Sequence, residues 1–254
     1  MLSRTLAVAL GTFRESVRDR LFYLVGAFGV VLVGATTVLS PLTVGAQGKI
    51  VADVGLAGMA LLGLLVVLLV GASLVRKEME QRTITTVLTK PVGRGEYLLG
   101  KYLGLSLTLA CIIGLMGVLY VVAVWLTPAE LAWSHLVAVY LTWLELLVLT
   151  AGAVFFSFVA GNALAAGLAA ALFVIGHLLR SLHDFAAMST GPGRALAALA
   201  YRVLPDLEVF NVRAAVVHGD PVTAGQVALA TLYGVGWIAV FLLLSRVVFA
   251  RKEL

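Results

Sequence analysis

Glu145 is the residue in this sequence whose type and setting most plainly call for chemistry. It interrupts a stretch, residues 131–179, that otherwise contains no Asp, Glu, Lys or Arg. A carboxylate at such a position is costly unless it faces water, a partner or the interior of a helix bundle. Thr142 falls on the same helical face, His135 lies too far along to help, and His177 becomes a hydrogen-bond partner when the two helices align. Two readings follow. Either Glu145 lines a pathway or a subunit interface, or it is a protonated acid satisfied by nearby backbone and hydroxyl groups.

The second concentration of chemistry-bearing residues is the segment 76–101, with six basic and three acidic side chains grouped around Arg76-Lys77-Glu78-Met79-Glu80-Gln81-Arg82 and Lys90-Pro91-Val92-Gly93-Arg94-Gly95-Glu96. Thr83 to Leu88 can continue a helix from the first cluster, with Ile84, Val87 and Leu88 on one face, and Pro91 and Gly93 end it. A short helix parallel to the membrane, presenting a docking surface, is expected there. Within the segment, Gly95 to Tyr102 nearly matches a phosphate-binding loop. The match fails because Tyr102 lacks the small hydroxyl that holds magnesium, no strand precedes the run, and Leu98-Leu99 leads straight into an apolar helix. The chain is therefore expected to bind no nucleotide or cofactor of its own.

Other constellations are weaker. His183-Asp184 and His218 with Asp220 lack the helical spacing of a three-ligand metal site, so no metal is expected. No nucleophile and base, or paired acids, recur at recognisable spacing, and an enzyme is not expected.

The elements that must position these residues follow from composition. Of 254 residues, 61% are hydrophobic and 12% charged, with a net charge of +5. Soluble proteins average about 25% charged, so soluble-enzyme and DNA-binding readings are excluded. Nucleic acid is not an expected partner. The single cysteine, Cys111, rules out an internal disulfide.

Charge-free runs cover 21–48, 54–75, 102–129, 146–179 and 221–245, each long enough for the roughly 20 residues of a spanning helix. The fourth extends the run that begins at Leu131, and its length demands a fold-back, for which Gly161-Asn162 is the best turn signal. Six spans are expected, at 21–44, 54–75, 102–126, 135–160, 163–179 and 224–249. With the N-terminus inside, thirteen of the 18 basic residues fall on the cytoplasmic side, which puts both termini there. No cleaved leader is expected, because the apolar run 6–10 is short and Arg14, Glu15 and Arg18 follow it.

Leu2, Leu6, Leu10, Phe13, Val17 and Leu21 recur every three or four residues, so residues 1–20 read as an amphipathic helix on the inner surface. Gly100-x-x-x-Gly104 permits close helix packing, although with 26 glycines such matches arise by chance. Beyond the fifth span, 180–223 carries too much pattern for a linker. Asp206 can cap a helix presenting Leu207, Phe210, Ala214 and Val217 on one face, a candidate gate or partner face.

The run Arg76-Lys77-Glu78-Met79-Glu80-Gln81-Arg82-Thr83-Ile84, followed by Lys90-Pro91-Val92-Gly93-Arg94-Gly95-Glu96-Tyr97-Leu98-Leu99-Gly100-Lys101, resembles the signature of permease subunits in the type-2 ABC exporter family. The likeness covers the whole chain in outline. It is nearest to the branch containing the permease for maturation of the copper enzyme nitrous oxide reductase, where a Pro-x-Gly-Arg-Gly-x-x-Leu-Leu-Gly-Lys run is typical.

The resemblance implies an all-α integral membrane protein of the bacterial inner membrane, built as a single permease domain over 1–254. It implies that Glu78 to Leu88 forms a coupling helix seated in a separate ATPase subunit, with Pro91, Arg94 and Lys101 in the loop after it. It further implies two copies of that ATPase, which hold the ATP and magnesium, and a second permease subunit, identical or homologous. The function implied is ATP-driven export or extraction of a substrate. The alternatives are an ATP-driven mechanotransmitter acting on an extracytoplasmic partner protein, and an ion-coupled carrier using Glu145.

Overall fold

In a hydrocarbon environment a backbone must satisfy its own N–H and C=O groups, so long apolar segments fold as helices. The computed structural model describes residues 2–18, 20–39, 46–71, 93–127, 131–188 and 199–251, and every regular element among them is helical. In chain order they are α1 (Leu2–Arg18), a 3₁₀ turn (Arg20–Phe22), α2 (Tyr23–Gly34, continued by a π-helical turn, Ala35–Leu39), α3 (Gln47–Val66, continued by another, Val67–Gly71), α4 (Arg94–Trp125), α5 (Trp133–Val159) and α6 (Asn162–Met188). A 3₁₀ turn (Leu207–Phe210), α7 (Arg213–His218) and α8 (Ala224–Arg251) complete the order.

Five of these are long and apolar enough to cross a membrane: Gln47–Val70, Gly95–Trp125, Trp133–Val159, Asn162–Leu182 and Ala224–Arg251. Tyr23–Val38 is apolar but shorter. The expected first span reached residue 44, and its far end lies outside the described residues. The long apolar run does fold back: α5 ends at Val159 and α6 begins at Asn162. Three expected boundaries shift, the first of them in the second apolar helix, which begins at Gln47 rather than 54. The third apolar helix begins at Arg94 rather than 102, because Glu96 Oε2 accepts from the Gly93 N–H at 3.0 Å and caps the helix below its charged residues. The fifth continues past 179 to Met188.

α5 is the axis of the bundle. Its apolar window is 78% buried, against 17% for α8, and residues 144–154 are buried on every side. α3, α4, α6 and α8 pack around it. Close approach is bought with small residues. A Cβ at Gly55 would meet Tyr120 Cδ2 at 2.6 Å, and one at Gly152 would meet Leu172 Cδ2 at 2.9 Å. Tyr120, wholly buried, points its hydroxyl at His135 Nδ1, 2.6 Å away, which holds the start of α5 to the end of α4.

α1 packs on α4 with a face that its leucine periodicity did not mark. Ala9, Thr12 and Ser16 are buried, whereas Leu6, Leu10 and Val17 are exposed. The contact lies at the Gly100-x-x-x-Gly104 pair. A Cβ at Gly100 would stand 2.7 Å from Val8 Cβ, and one at Gly104 would stand 2.6 Å from both the Ala9 carbonyl oxygen and Thr12 Cβ. Only glycine lets the two backbones meet so closely. At the same end, Phe249 of α8 stacks with Tyr97 of α4 and Phe158 of α5, ring centroids 6.1 and 5.0 Å apart.

Candidate functional site

The expected coupling-helix residues Glu78, Met79, Glu80, Gln81, Arg82, Thr83, Ile84, Val87 and Leu88, with Pro91, lie outside the described residues. The structure picks up the chain where that segment re-enters the bundle. Arg94 opens α4, and Lys101, expected in the loop, is instead buried two turns into the helix. The reason is electrostatic and steric together. Lys101 Nζ lies 3.9 Å from Glu15 Oε2 of α1 and 5.9 Å above the Tyr97 ring, so its charge is held between helices. The first two turns of α4 are thus gripped by α1 through Gly100 and Lys101, and by α8 through Tyr97.

At the opposite end lies a half-open cavity of about 220 Å³, walled by α3, α5, α6 and the segment leading into α7. Glu145 and His177 meet inside it. Glu145 is 4% exposed, and its Oε1 stands 3.6 Å from His177 Nε2. That separation is too long for a hydrogen bond, and Oε1 has no hydrogen-bond partner. His177 Nδ1 lies 3.0 Å from the Phe173 carbonyl oxygen. A carbonyl only accepts, so Nδ1 carries a hydrogen. A neutral ring then turns the Nε2 lone pair towards the carboxylate. Two acceptors face each other across the gap unless a proton resides on one of them.

Thr142 lines the same cavity one helical turn before Glu145. Asn211 and Arg213, which sequence reasoning missed, line it too. Arg213 Nε of α7 pairs with Asp53 Oδ1 of α3 at 3.1 Å, and Asn211 donates through Nδ2 to Glu208 Oε1 at 3.0 Å while its Oδ1 accepts from the Arg213 N–H at 3.2 Å. Asp53 is visible as a charge flanking an apolar run, and Arg213 as a charge within the 180–223 segment. Nothing in a linear pattern pairs two residues so far apart in the chain.

Asp206, Leu207 and Phe210 depart from the expected helix with a gate or partner face. Asp206 does cap, accepting from the Glu208 N–H at 3.0 Å, but what it caps is a 3₁₀ turn. Asn211 is extended, and the chain turns helical again only at Arg213, so no single face joins Leu207 to Val217. Leu207 and Phe210 are buried as a wedge between α6 and α8, Leu207 against Gly176 and Phe210 against Gly234. The Asp206 N–H donates to the Tyr233 hydroxyl at 2.7 Å, and Arg180 Nη2 lies 3.7 Å from Asp206 Oδ2, pinning the wedge from both sides. Of these residues, Phe210 lines the cavity.

The model of a family described as ABC-2 family transporter protein matches residues 6–254. The chain belongs to the ABC-2 transporter family. A comparison with curated proteins gives no match. An ABC-2 membrane subunit is a multi-pass, generally non-catalytic component whose partner is an ABC ATPase. The five long apolar helices agree with that role. Family membership gives no support to an ion-coupled carrier built on Glu145 or to a mechanotransmitter.

Proposed function

We propose that this ABC-2 membrane subunit couples ATP hydrolysis on a separate ATPase to export or extraction of a substrate. The observation that carries the reading is the family match over nearly the whole chain. In this reading six helices span a bacterial inner membrane, with Tyr23–Val38 and its continuation as the first, and both termini are cytoplasmic. α1 lies along the inner interface with Leu6, Leu10 and Val17 in the acyl region. Residues 78–88 form the coupling helix. Two ATPases carry the ATP and magnesium, and a second permease subunit completes the assembly.

Mechanically, closure of paired ATPases draws their docked helices together and shifts the membrane helices between two arrangements. What supports this is the packing at the start of α4. A displacement of segment 72–92 is passed directly into a helix clamped to both α1 and α8. The Pro91-Val92-Gly93-Arg94-Gly95 run supports placing the chain near the nitrous oxide reductase maturation branch.

The test is affinity purification of the tagged chain in mild detergent, with mass spectrometry and an ATPase assay, beside a variant in which Glu78, Glu80 and Arg82 are changed to Ala. An ATPase recovered with the parent and lost with the variant supports the coupling helix. A folded parent that brings down no ATPase activity refutes the reading.

A further inference from the structure

We propose that the cavity around Glu145 and His177 is a binding site for a small organic cation, a primary ammonium on a compact aromatic or branched apolar body. The assignment goes beyond ATPase-driven transport and does not depend on it, since every residue it rests on belongs to this chain.

Three observations select the charge. First, Glu145 lines the cavity, and its Oε1 is buried with no hydrogen-bond partner. Leaving such an acceptor unmet costs its full desolvation. Second, it faces His177 Nε2 across 3.6 Å, with the other ring nitrogen already committed to the Phe173 carbonyl. A single ammonium carries three donors and can reach both acceptors. Third, of the two charged residues that line the cavity, Glu145 and Arg213, the guanidinium is held by Asp53, whereas among the described residues Glu145 has no Arg or Lys partner.

An anion finds little here, because Arg213 is held by Asp53. A metal ion is no better served, because among the described residues no group of three or more His, Cys, Asp or Glu stands together. The rest of the wall selects the body of the ligand. Leu56, Ala60 and the rings of Phe173 and Phe210 line it, and aromatic faces attract a cation as well as an apolar ring. An apolar cavity of about 150 Å³ accepts benzene, so about 220 Å³ admits a ring and a short ammonium arm.

The full chain in mild-detergent micelles is titrated with phenethylammonium by isothermal calorimetry, with 2-phenylethanol as the uncharged isostere. Saturable binding is expected, about tenfold or more tighter for the ammonium than for the alcohol. Glu145→Gln should weaken it about tenfold or more. Ala60→Phe, which fills the apolar wall and leaves the carboxylate in place, should abolish it. Should Glu145→Gln fail to give a cooperative thermal transition, Glu145→Asp, which withdraws the carboxylate by one methylene, replaces it and should also weaken binding. Equal affinity for ammonium and alcohol, non-saturable partitioning alone, or undiminished binding in the folded variants would each overturn the proposal.

Discussion

Adding one methyl group at Gly104 should pry α1 from α4, and the size of the effect can be worked from two glycines in the same helix. A Cβ at position 104 stands 2.6 Å from the Ala9 carbonyl oxygen and 2.6 Å from Thr12 Cβ, where comfortable carbon contacts lie at about 3.5–4.0 Å. One of the two atoms it meets is backbone, so α1 itself must retreat by about 1 Å. Overpacking of this kind costs about 1–3 kcal/mol. Replacing a helical glycine by alanine returns about 1 kcal/mol of backbone propensity. Gly114, further along α4, has nothing within 4 Å of its added Cβ. Gly114→Ala therefore carries the propensity gain alone, and the difference between the two variants isolates the steric cost at about 1–3 kcal/mol. Unfolding is followed by detergent titration of the purified chain. Trypsin digestion at Arg14, exposed on α1, reads whether that helix in particular has lifted. Equal stability and equal cleavage rates for Gly104→Ala and Gly114→Ala would refute the claim that glycine sets this contact.

Two further outcomes follow from the packing of the opposite end. Leu207→Ala empties a fully buried position and should cost about 2–5 kcal/mol. Gly176→Ala, whose new Cβ would lie 2.6 Å from Leu207 Cγ, should be costly alone yet less so in the Leu207→Ala background, and a double-mutant cycle with no coupling would count against the wedge. The Asp53–Arg213 pair is half exposed, at 52% and 44% of its side chains, so screening limits it to about 0–1 kcal/mol. Asp53→Arg with Arg213→Asp should melt close to the parent, and either single exchange should melt lower; a double variant no better than the singles would show that the two charges do not meet.

Much of the helical layout was legible along the chain. Charge-free runs mark the long helices, and Gly161-Asn162 marks the reversal between α5 and α6, because a glycine followed by asparagine is the cheapest break in an otherwise uninterrupted helix former. Asp206 is readable as a cap, since its short carboxylate reaches the second N–H after it whether the turn that follows is α or 3₁₀. Helix ends were read less well. α4 starts below its charged residues and α6 overshoots Arg180, because a capping side chain, Glu96, and a buried ion partner, Asp206, can carry a helix through charges that hydropathy treats as its limit.

The sequence by itself determined that the chain is an apolar, multi-helix membrane protein with one acid in a long apolar run and one charged segment between helices. Tertiary structure alone decided that α5 is the axis, that α1 docks through Ala9, Thr12 and Ser16 instead of its leucines, and that Glu145, His177 and Arg213 line one cavity, with Asp53 paired to Arg213. The reason is the solvent. In water, an apolar stripe reports which face is buried, but lipid is as apolar as the protein interior. A leucine facing the acyl chains and a leucine facing α5 look alike in sequence, so the faces are sorted by small residues and by pairings between distant charges, neither of which is resolved until the helices are in place.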